Sequence, residues 1–561
     1  MPHMTGNRYL AETLKGYGVT TIFWMPAVLK PAFMEMERLG GIKRVLCHSE
    51  KSAVYMADGY ARASRRPGIV MCQSVGAANL AAGLQDAYLA HAPLIAITGR
   101  QTAQLRNRNA YQEIFHWPMY EPVTKYNVHV DDVAQLPIQL RQAFREATTT
   151  APGPVHLEMP GFQCEVVGNA EADLDVVIEE RFATYPAFRP EPESGAVDAA
   201  ADLLARAERP VIVAGGGAVA SRAAAEVTKL AEKLSIPVAT SLNGKGSIVH
   251  GHPLAAGIVG TYALPWGNEI VGEADLVLYV GSQTGDQTTD IWTVPQPGTA
   301  VIQIDLDPVE IGRGYPGVVP LLGDARQTLR RIIDAVEPAP ESAWATQARE
   351  RVEKGWNEQD ALCGSDAVPI RPERICREIS DFLPTDALVV SDTGHAASWT
   401  GNYILLRHAT QDYIRCAGSL GWGLPAAMGA KCAVPDRPVI CFTGDGGFWY
   451  HLGELETAVR CGINTVTVIN NNRSLSQDKP GVDDAYRDHP QGNPEELWVY
   501  QDLDLAAVAQ SMGCFARRVE HPEDIRPALD EALASGRTAV VDVASDIDAF
   551  APWTRNPMKG S

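Results

Sequence analysis

Two short stretches hold residues that can do chemistry. Gly444-Asp445-Gly446-Gly447 follows the apolar run Pro438–Thr443, and Asn470-Asn471-Asn472 follows Thr465–Ile469, so Asp445 and Asn472 lie 27 positions apart (472 − 445). Each apolar run reads as a buried parallel strand and Gly453–Arg460 between them as a helix, which makes the unit βαβ. Asp445 and Asn472 then stand at the carboxyl ends of two strands, where open α/β sheets bind ligands. A carboxylate, an amide oxygen and a carbonyl from the next loop, with Ser474 the candidate, form a hard all-oxygen set that suits Mg²⁺. Gly444, Gly446 and Gly447 let backbone N–H groups come close to a phosphate. A lone Gly-Asp-Gly also fits an ordinary turn; the flanking strands and the Asn run favour the cation.

The same pairing resembles the metal and diphosphate motif of thiamine-diphosphate enzymes. Around it, strands and helices alternate in three blocks, the doubly wound α/β pattern. The first includes Thr21–Phe23, Arg44–Cys47, Gly68–Cys72, Pro93–Thr98 and Pro154–Glu158, with helices over Glu50–Ala63 and Gly76–His91. The second runs from Pro210–Gly217 through Ile236–Thr240 and Ala274–Gly281 to Ala300–Asp307, and the third from Pro372 to about Val543. Segments 166–192 and 338–368 read as linkers. In order and length the blocks resemble the PYR, central and PP domains of the acetolactate-synthase-like family, at 1–165, 194–337 and 369–545, with 546–561 a tail and possible lid.

The resemblance assigns roles. His48-Ser-Glu50 followed by Ala57-Asp-Gly-Tyr-Ala-Arg62 matches the family's strand, glutamate and helix signature, which makes Glu50 the acid that hydrogen-bonds N1′ of the aminopyrimidine. A carboxylate in a first helical turn also suits the helix dipole. Within Cys416–Ala430, Leu420 falls where relatives wedge the cofactor into its bent shape and Gly418 where a carbonyl accepts from the 4′-amino group. Ser391-Asp-Thr-Gly394-His395 resembles the turn that contacts the diphosphate. Tyr111-Gln112-Glu113 resembles a segment whose Gln reaches the site from the first domain. Because Glu50 and the metal motif lie in different blocks, and the family joins those blocks between subunits, a homodimer or homotetramer is implied.

Composition bounds the rest. The 561 residues exceed one core, and a formal charge of −20 leaves no basic stripe for nucleic acid. Ten cysteines without a CxxC pair read as reduced thiols in a cytoplasm. No run reaches the ~18 apolar residues of a membrane span, so a soluble, cytoplasmic protein acting on a small molecule is expected.

The expected reaction makes or breaks a carbon–carbon bond beside a carbonyl. The turn Phe23-Trp-Met-Pro-Ala27-Val28 replaces the Gly-rich turn of acetolactate synthases, so that Ala27 and Val28 narrow the space above the thiazolium, and Asn472-Arg-Ser-Leu-Ser-Gln477 departs from their sequence as well. The tail Phe550-Ala-Pro-Trp553-Thr-Arg555-Asn-Pro-Met558 resembles the ending of 2-hydroxyacyl-CoA lyases, where Trp553 and Arg555 would close over a CoA thioester, mobile until it binds. Tyr111 and Tyr450 complete the substrate-side set. The leading expectation is therefore reversible cleavage of a 2-hydroxyacyl-CoA, of the 2-hydroxyacyl-CoA lyase or oxalyl-CoA decarboxylase type. The alternatives are a decarboxylase and carboligase of 2-oxo acids and a non-catalytic nucleotide-binding homologue. In the central block, Gly215-Gly-Gly217 and Asp305 suit a nucleotide; the resemblance sets an Arg of FAD-binding relatives within the segment Ser282–Asp290, where this chain has none, which implies ADP or an empty vestigial site in preference to FAD.

Overall fold

The computed structural model describes residues 2–489 and 491–554. A short antiparallel pair, β1 (His3–Thr5) and β8 (Glu171–Asp173), ties the start of the chain to the end of the first domain. Between them lie β2 (Thr21–Trp24), β3 (Lys43–Leu46), β4 (Gly68–Cys72), β5 (Leu94–Arg100), β6 (Tyr126–His129) and β7 (Val155–Pro160). The central domain has β9 (Pro210–Ala214), β10 (Val238–Thr240), β11 (Ala255–Ile258), β12 (Leu276–Val280), β13 (Ala300–Asp305) and β14 (Val319–Leu322). The third has β15 (Leu388–Ser391), β16 (Asp412–Arg415), β17 (Val439–Gly444), β18 (Val466–Asn471), β19 (Phe515–Val519) and β20 (Ala539–Ala544). Each set forms a six-stranded parallel sheet: β3-β2-β4-β5-β7-β6, β11-β10-β9-β12-β13-β14 and β16-β15-β17-β18-β20-β19.

Helices cover both faces of these sheets, so inner strands such as β9 and β12 are buried at every residue, which is why they read as unbroken apolar runs. Each sheet starts on an inner strand, winds outward one way and resumes on the other side. The crevices this creates, between β2 and β4, β9 and β12, and β15 and β17, are where such sheets bind ligands.

First and third domains share a seam built from the Ala57–Arg62 signature. The helix Glu50–Ser64 crosses Gly423–Ala433 so closely that a Cβ on Gly59 would sit 1.9 Å from the Ala426 carbonyl oxygen, and one on Gly429 1.8 Å from that of Met56. Buried Asp58 accepts from Arg62 Nε (2.7 Å) and Nη2 (2.9 Å) and from Trp422 Nε1 (2.9 Å), while the guanidinium lies over the Trp422 ring. The signature is thus a domain joint as well as a family mark.

Three expectations need correction. Segment 338–368 is not a plain linker: it contains the 21-residue helix Ala343–Cys363, capped by the Ser342 hydroxyl. Its buried stripe is thin (Trp344, Ala345, Ala348, Gly355 and Cys363), so it lacks a wide apolar face in sequence. Segment 166–192 also holds short ordered elements, among them Glu180–Ala183, whose Phe182 joins the first-domain core. The tail is docked through Thr554. Ala549 and Ala551 are buried, Phe550 meets the His395 ring edge to face at 4.4 Å, and Thr554 N–H donates to Thr261 O (2.9 Å). Three consecutive small or apolar side chains, too short a run to show a helical or strand period, hold it there. No helix among the described residues is long and apolar enough to cross a membrane.

Candidate active site

Asp445 opens the short helix Asp445–His451, one residue past β17, and Asn470 lies opposite Gly444 in the pairing of β17 with β18. Both Asp445 carboxylate oxygens and Asn470 Oδ1 are buried without a hydrogen-bond partner. Burial holds the Asp445 carboxyl up at about 7. Backbone N–H groups of Asp445, Ser474 and Asn472 pull the other way without closing a hydrogen bond, and the Asp542 carboxylate adds to the rise. Asn472 Oδ1 accepts the Ser474 hydroxyl at 2.9 Å. The bonds that bracket Ser474 run from Leu475 N–H to Trp498 O and from Tyr500 N–H to Arg473 O, so the Ser474 carbonyl stays outside that ladder. Asn471 turns away, donating to Asp542 Oδ1 at 2.9 Å. Among the described residues no three His, Cys, Asp or Glu side chains form a metal cluster. A cation here would be held by one carboxylate with neutral oxygens, a set that fits Mg²⁺, and the orphaned Asp445 oxygens are open to it.

The three glycines of the motif differ. A Cβ on Gly447 would lie 2.9 Å from Asp392 Oδ2 and one on Gly446 2.5 Å from Leu475 Cδ2, whereas Gly444 faces open space. Packing requires the first two, and only Gly444 has the free approach expected of a phosphate contact.

Two carboxylates that sequence reasoning missed hold the loop carrying Gly418 and Leu420. Asp392, just past β15, accepts from Thr393 N (2.8 Å), Gly421 N (3.0 Å) and Gly423 N (3.0 Å), and burial pushes its carboxyl up to about 6. Asp86, in the first-domain helix Gly76–Leu89, accepts from Ala417 N (2.9 Å), Gly418 N (3.1 Å) and Ser419 N (2.9 Å). Asp392 lies within the Ser391–His395 turn; Asp86 had no local signal, since the backbone groups it grips are 331 or more residues away. The loop they grip leaves Gly418 exposed and Leu420 half-buried, outside every core cluster.

At the neighbouring turn, Gly394 has φ 66°, and a Cβ there would meet Gln477 Oε1 at 2.7 Å. His395 opens the helix His395–Tyr403; burial lowers its pKa to about 4, so the ring is neutral. Asn472 Nδ2 donates to Ser476 Oγ (3.1 Å), which lies 3.1 Å from His395 Nδ1. Ser476 Oγ can accept from that amide and still either donate to or accept from Nδ1, so these contacts fix the place of the ring and not its tautomer. Nε2 is buried and unpartnered, and in the tautomer protonated there it would suit a diphosphate oxygen.

In the first domain, Ser49 caps the helix by accepting from Ser52 N, so Glu50 is free of capping duty. Its Oε2 accepts from Asn79 Nδ2 at 3.2 Å, and a Cβ on Gly76 would lie 2.5 Å from Oε1. Buried Glu454 of the third domain accepts from His48 N–H (2.8 Å) and the Ser52 hydroxyl, bracketing Glu50 on both sides. The turn after β4 gathers the other candidates: Gln73 Oε1 accepts from Ala27 N (3.1 Å), and Ser74 Oγ donates to the Gln112 carbonyl (3.0 Å). Gln112 has φ 56° and a buried, unpartnered Oε1. Ala27 stays half-buried, but Val28 is wholly buried in the first-domain core, so its side chain is packing and not a substrate contact. Tyr111 is 74% exposed and Tyr450 55% exposed beside Gly421. Trp553 is half-buried, stacked near Phe550, while Arg555 lies outside the described residues.

Each set is thus assembled, one on the first domain and one on the third. The Glu50 hydrogen bond stays within its own domain, as do the neighbours of Asp445. Three family descriptions match the chain: "Thiamine pyrophosphate enzyme, N-terminal TPP binding domain" over residues 4–119, "central domain" over 197–332 and "C-terminal TPP binding domain" over 392–543. A probable acetolactate synthase large subunit of Methanocaldococcus jannaschii is 31% identical, covering 97% of this chain and 92% of that protein. The chain belongs to the thiamine pyrophosphate enzymes. The Escherichia coli acetolactate synthase isozyme 3 large subunit is 29% identical (97% and 96% covered), and a probable 2-ketoarginine decarboxylase of Pseudomonas aeruginosa 31% identical (96% and 94% covered).

As a thiamine pyrophosphate enzyme the protein is a carboligase or lyase, and the relatives compared favour the 2-oxo acid alternative over the leading expectation of a CoA thioester. The tail, which carried that expectation, packs on His395 through Phe550. ADP gains no support either. Gly215 and Gly217 pack against Gly281, where Cβ atoms would lie 2.2 Å from its carbonyl oxygen and 2.7 Å from its Cα, so they serve backbone contact between two strand ends. The adjoining cavity, about 460 Å³, is lined by Asp286, Asp305, Asp307, Glu310 and Asp324 against Arg62 and Arg65, a poor setting for a diphosphate.

Proposed function

We propose that the protein decarboxylates a 2-oxo acid and joins the remaining acyl unit to a second carbonyl, at sites built between two copies of the chain. The observation that carries the reading is the pair of orphaned Asp445 oxygens beside Asn472 and Ser474, in a chain whose relatives bear the names acetolactate synthase and 2-ketoarginine decarboxylase. Bound thiamine diphosphate supplies a nucleophilic C2 carbon and an electron sink for loss of CO₂. Asp445, Asn472 and the Ser474 carbonyl would hold the Mg²⁺. His395 Nε2, when protonated, would donate to a diphosphate oxygen, and the Gly418 carbonyl, its N–H taken by Asp86, would accept from the 4′-amino group. Leu420 would wedge the cofactor, Glu50 would hydrogen-bond N1′, and Gln112 would face the substrate side with its free amide oxygen. Ala27 and Tyr450 border the substrate space.

Co-expression of Glu50→Gln and Asp445→Ala chains tests the shared site. A mixed dimer has one site with both residues intact, so a random mixture regains about a quarter of wild-type pyruvate turnover, a loss of less than 1 kcal/mol in apparent rate. If each site lay within one chain, the mixture would stay as inactive as either variant alone. Substrate class is read separately: wild type should release CO₂ from pyruvate or a longer 2-oxo acid, and turnover confined to 2-hydroxyacyl-CoA would overturn the reading.

A further inference from the structure

A second cavity, about 620 Å³, lies between the central sheet, the helix Ala343–Cys363 and the far end of the helix His395–Tyr403. Lys245 lines it. Its ammonium donates to the Gly401 carbonyl at 2.7 Å and sits 5.8 Å from the centre of the Tyr413 ring. Among the described residues it makes no ion pair; the titratable groups that face it are the Cys376 thiol and the His250 imidazole. The surface Lys245 retains opens on this cavity, and burial lowers its pKa to about 7. Burial first, then Lys245 and Arg407, hold His250 down at about 4, so that ring is neutral.

A lysine offers three N–H donors, and one is used here. Burying an ammonium with no anion beside it is unfavourable, and such groups are paired in most proteins. Trp266, Trp356, Ile248 and Leu405 give the wall an apolar side, with the His250 ring edge-on to Trp356 at 5.3 Å, while Thr240, His252, Asn357 and Asn402 are its further polar members. The other cation of the wall, Arg349, already faces Glu341 at 3.4 Å. Glu353 is exposed, at the rim.

We propose that this cavity binds a small monocarboxylate with an apolar body, the carboxylate taken by the free donors of Lys245 and the body lying against Trp356 and Trp266. The site is distinct from the thiamine half-sites. Gly401 is six residues past His395, about 9 Å along the same helix, so the ligand would touch the helix whose other end forms the diphosphate turn. It does not depend on which 2-oxo acid the enzyme uses.

Calorimetric titration of the full chain, free of thiamine diphosphate and Mg²⁺, with 3-phenylpropanoate and with 4-methylpentanoate tests this; neither probe has an oxo group to react. At least one should bind saturably at one per chain, and its uncharged amide should bind at least about tenfold more weakly. Lys245→Met should lose affinity by at least about tenfold, while Asp445→Ala binds like wild type. No saturation by either acid up to about 10 mM, equal binding of acid and amide, or loss of binding in Asp445→Ala would each overturn the proposal. If Lys245→Met fails to fold by circular dichroism, the comparison of acid with amide on wild type decides.

Discussion

Replacing Asp445 by Asn should make the cofactor-free protein more stable and the loaded protein less so. In the free protein both carboxylate oxygens are buried without partners, and the pKa stands at about 7 against an ordinary 3.8. A shift of roughly three units corresponds to about 4 kcal/mol of penalty on the charged form, an upper bound that relaxation and entering water reduce to about 2 kcal/mol. The sign follows from linkage. The folded pKa is raised, so the stability of the protonated form is fully present below pH 3.8 and is lost as pH rises through about 7. Asn titrates nowhere, so the gap between variant and wild type should be about a third of its full size at pH 5 and largest at pH 8. Differential scanning calorimetry in EDTA at both pH values, following the transition of the third domain, should show the variant melting several degrees higher at pH 8, at about 2–4 °C per kcal/mol. With saturating Mg²⁺ and thiamine diphosphate the order should reverse, because the cation becomes the missing partner and stabilises only the wild type. An Asn variant that melts with or below wild type at pH 8 in EDTA would refute the claim that the carboxylate is held unpaired for a cation.

Gly429→Ala places a Cβ 1.8 Å from the Met56 carbonyl oxygen, so the two seam helices must separate; a loss of about 3 kcal/mol or more is expected. Gly453→Ala, with no atom within 4 Å, is the control and should change the melting temperature little. Asp86→Ala strands three backbone N–H groups at about 1–3 kcal/mol each before the loop relaxes, and thiamine diphosphate affinity should fall by at least about tenfold with far-ultraviolet dichroism unchanged. Asp86→Asn, which keeps one acceptor oxygen, should recover part of that affinity in the same titration.

Much of the architecture was legible in the chain itself. Strands buried on both faces must be apolar throughout, so β4, β9, β12, β17 and β18 announced themselves, and Asp445 with Asn472 followed as the polar residues at their carboxyl ends. The edge strand β6, half-exposed at three of its four positions, carried no such run, and the helix Ala343–Cys363 buries too narrow a stripe to show a helical period. The tail was misread for a related reason: its contacts come from single side chains meeting another domain.

Sequence by itself therefore determined the three-block α/β order, the placement of Asp445 and Asn472 at neighbouring strand ends and the glutamate that opens its helix, because local spacing and the chemistry of each residue type suffice for these. Only the tertiary structure decided that Asp86 and Asp392 grip the loop of Gly418 and Leu420, that Asn472 and Ser476 hold the His395 ring, and that Lys245 lines a cavity without an ion pair among the described residues. Each of these rests on groups 29 to 333 residues apart, and no periodicity records that.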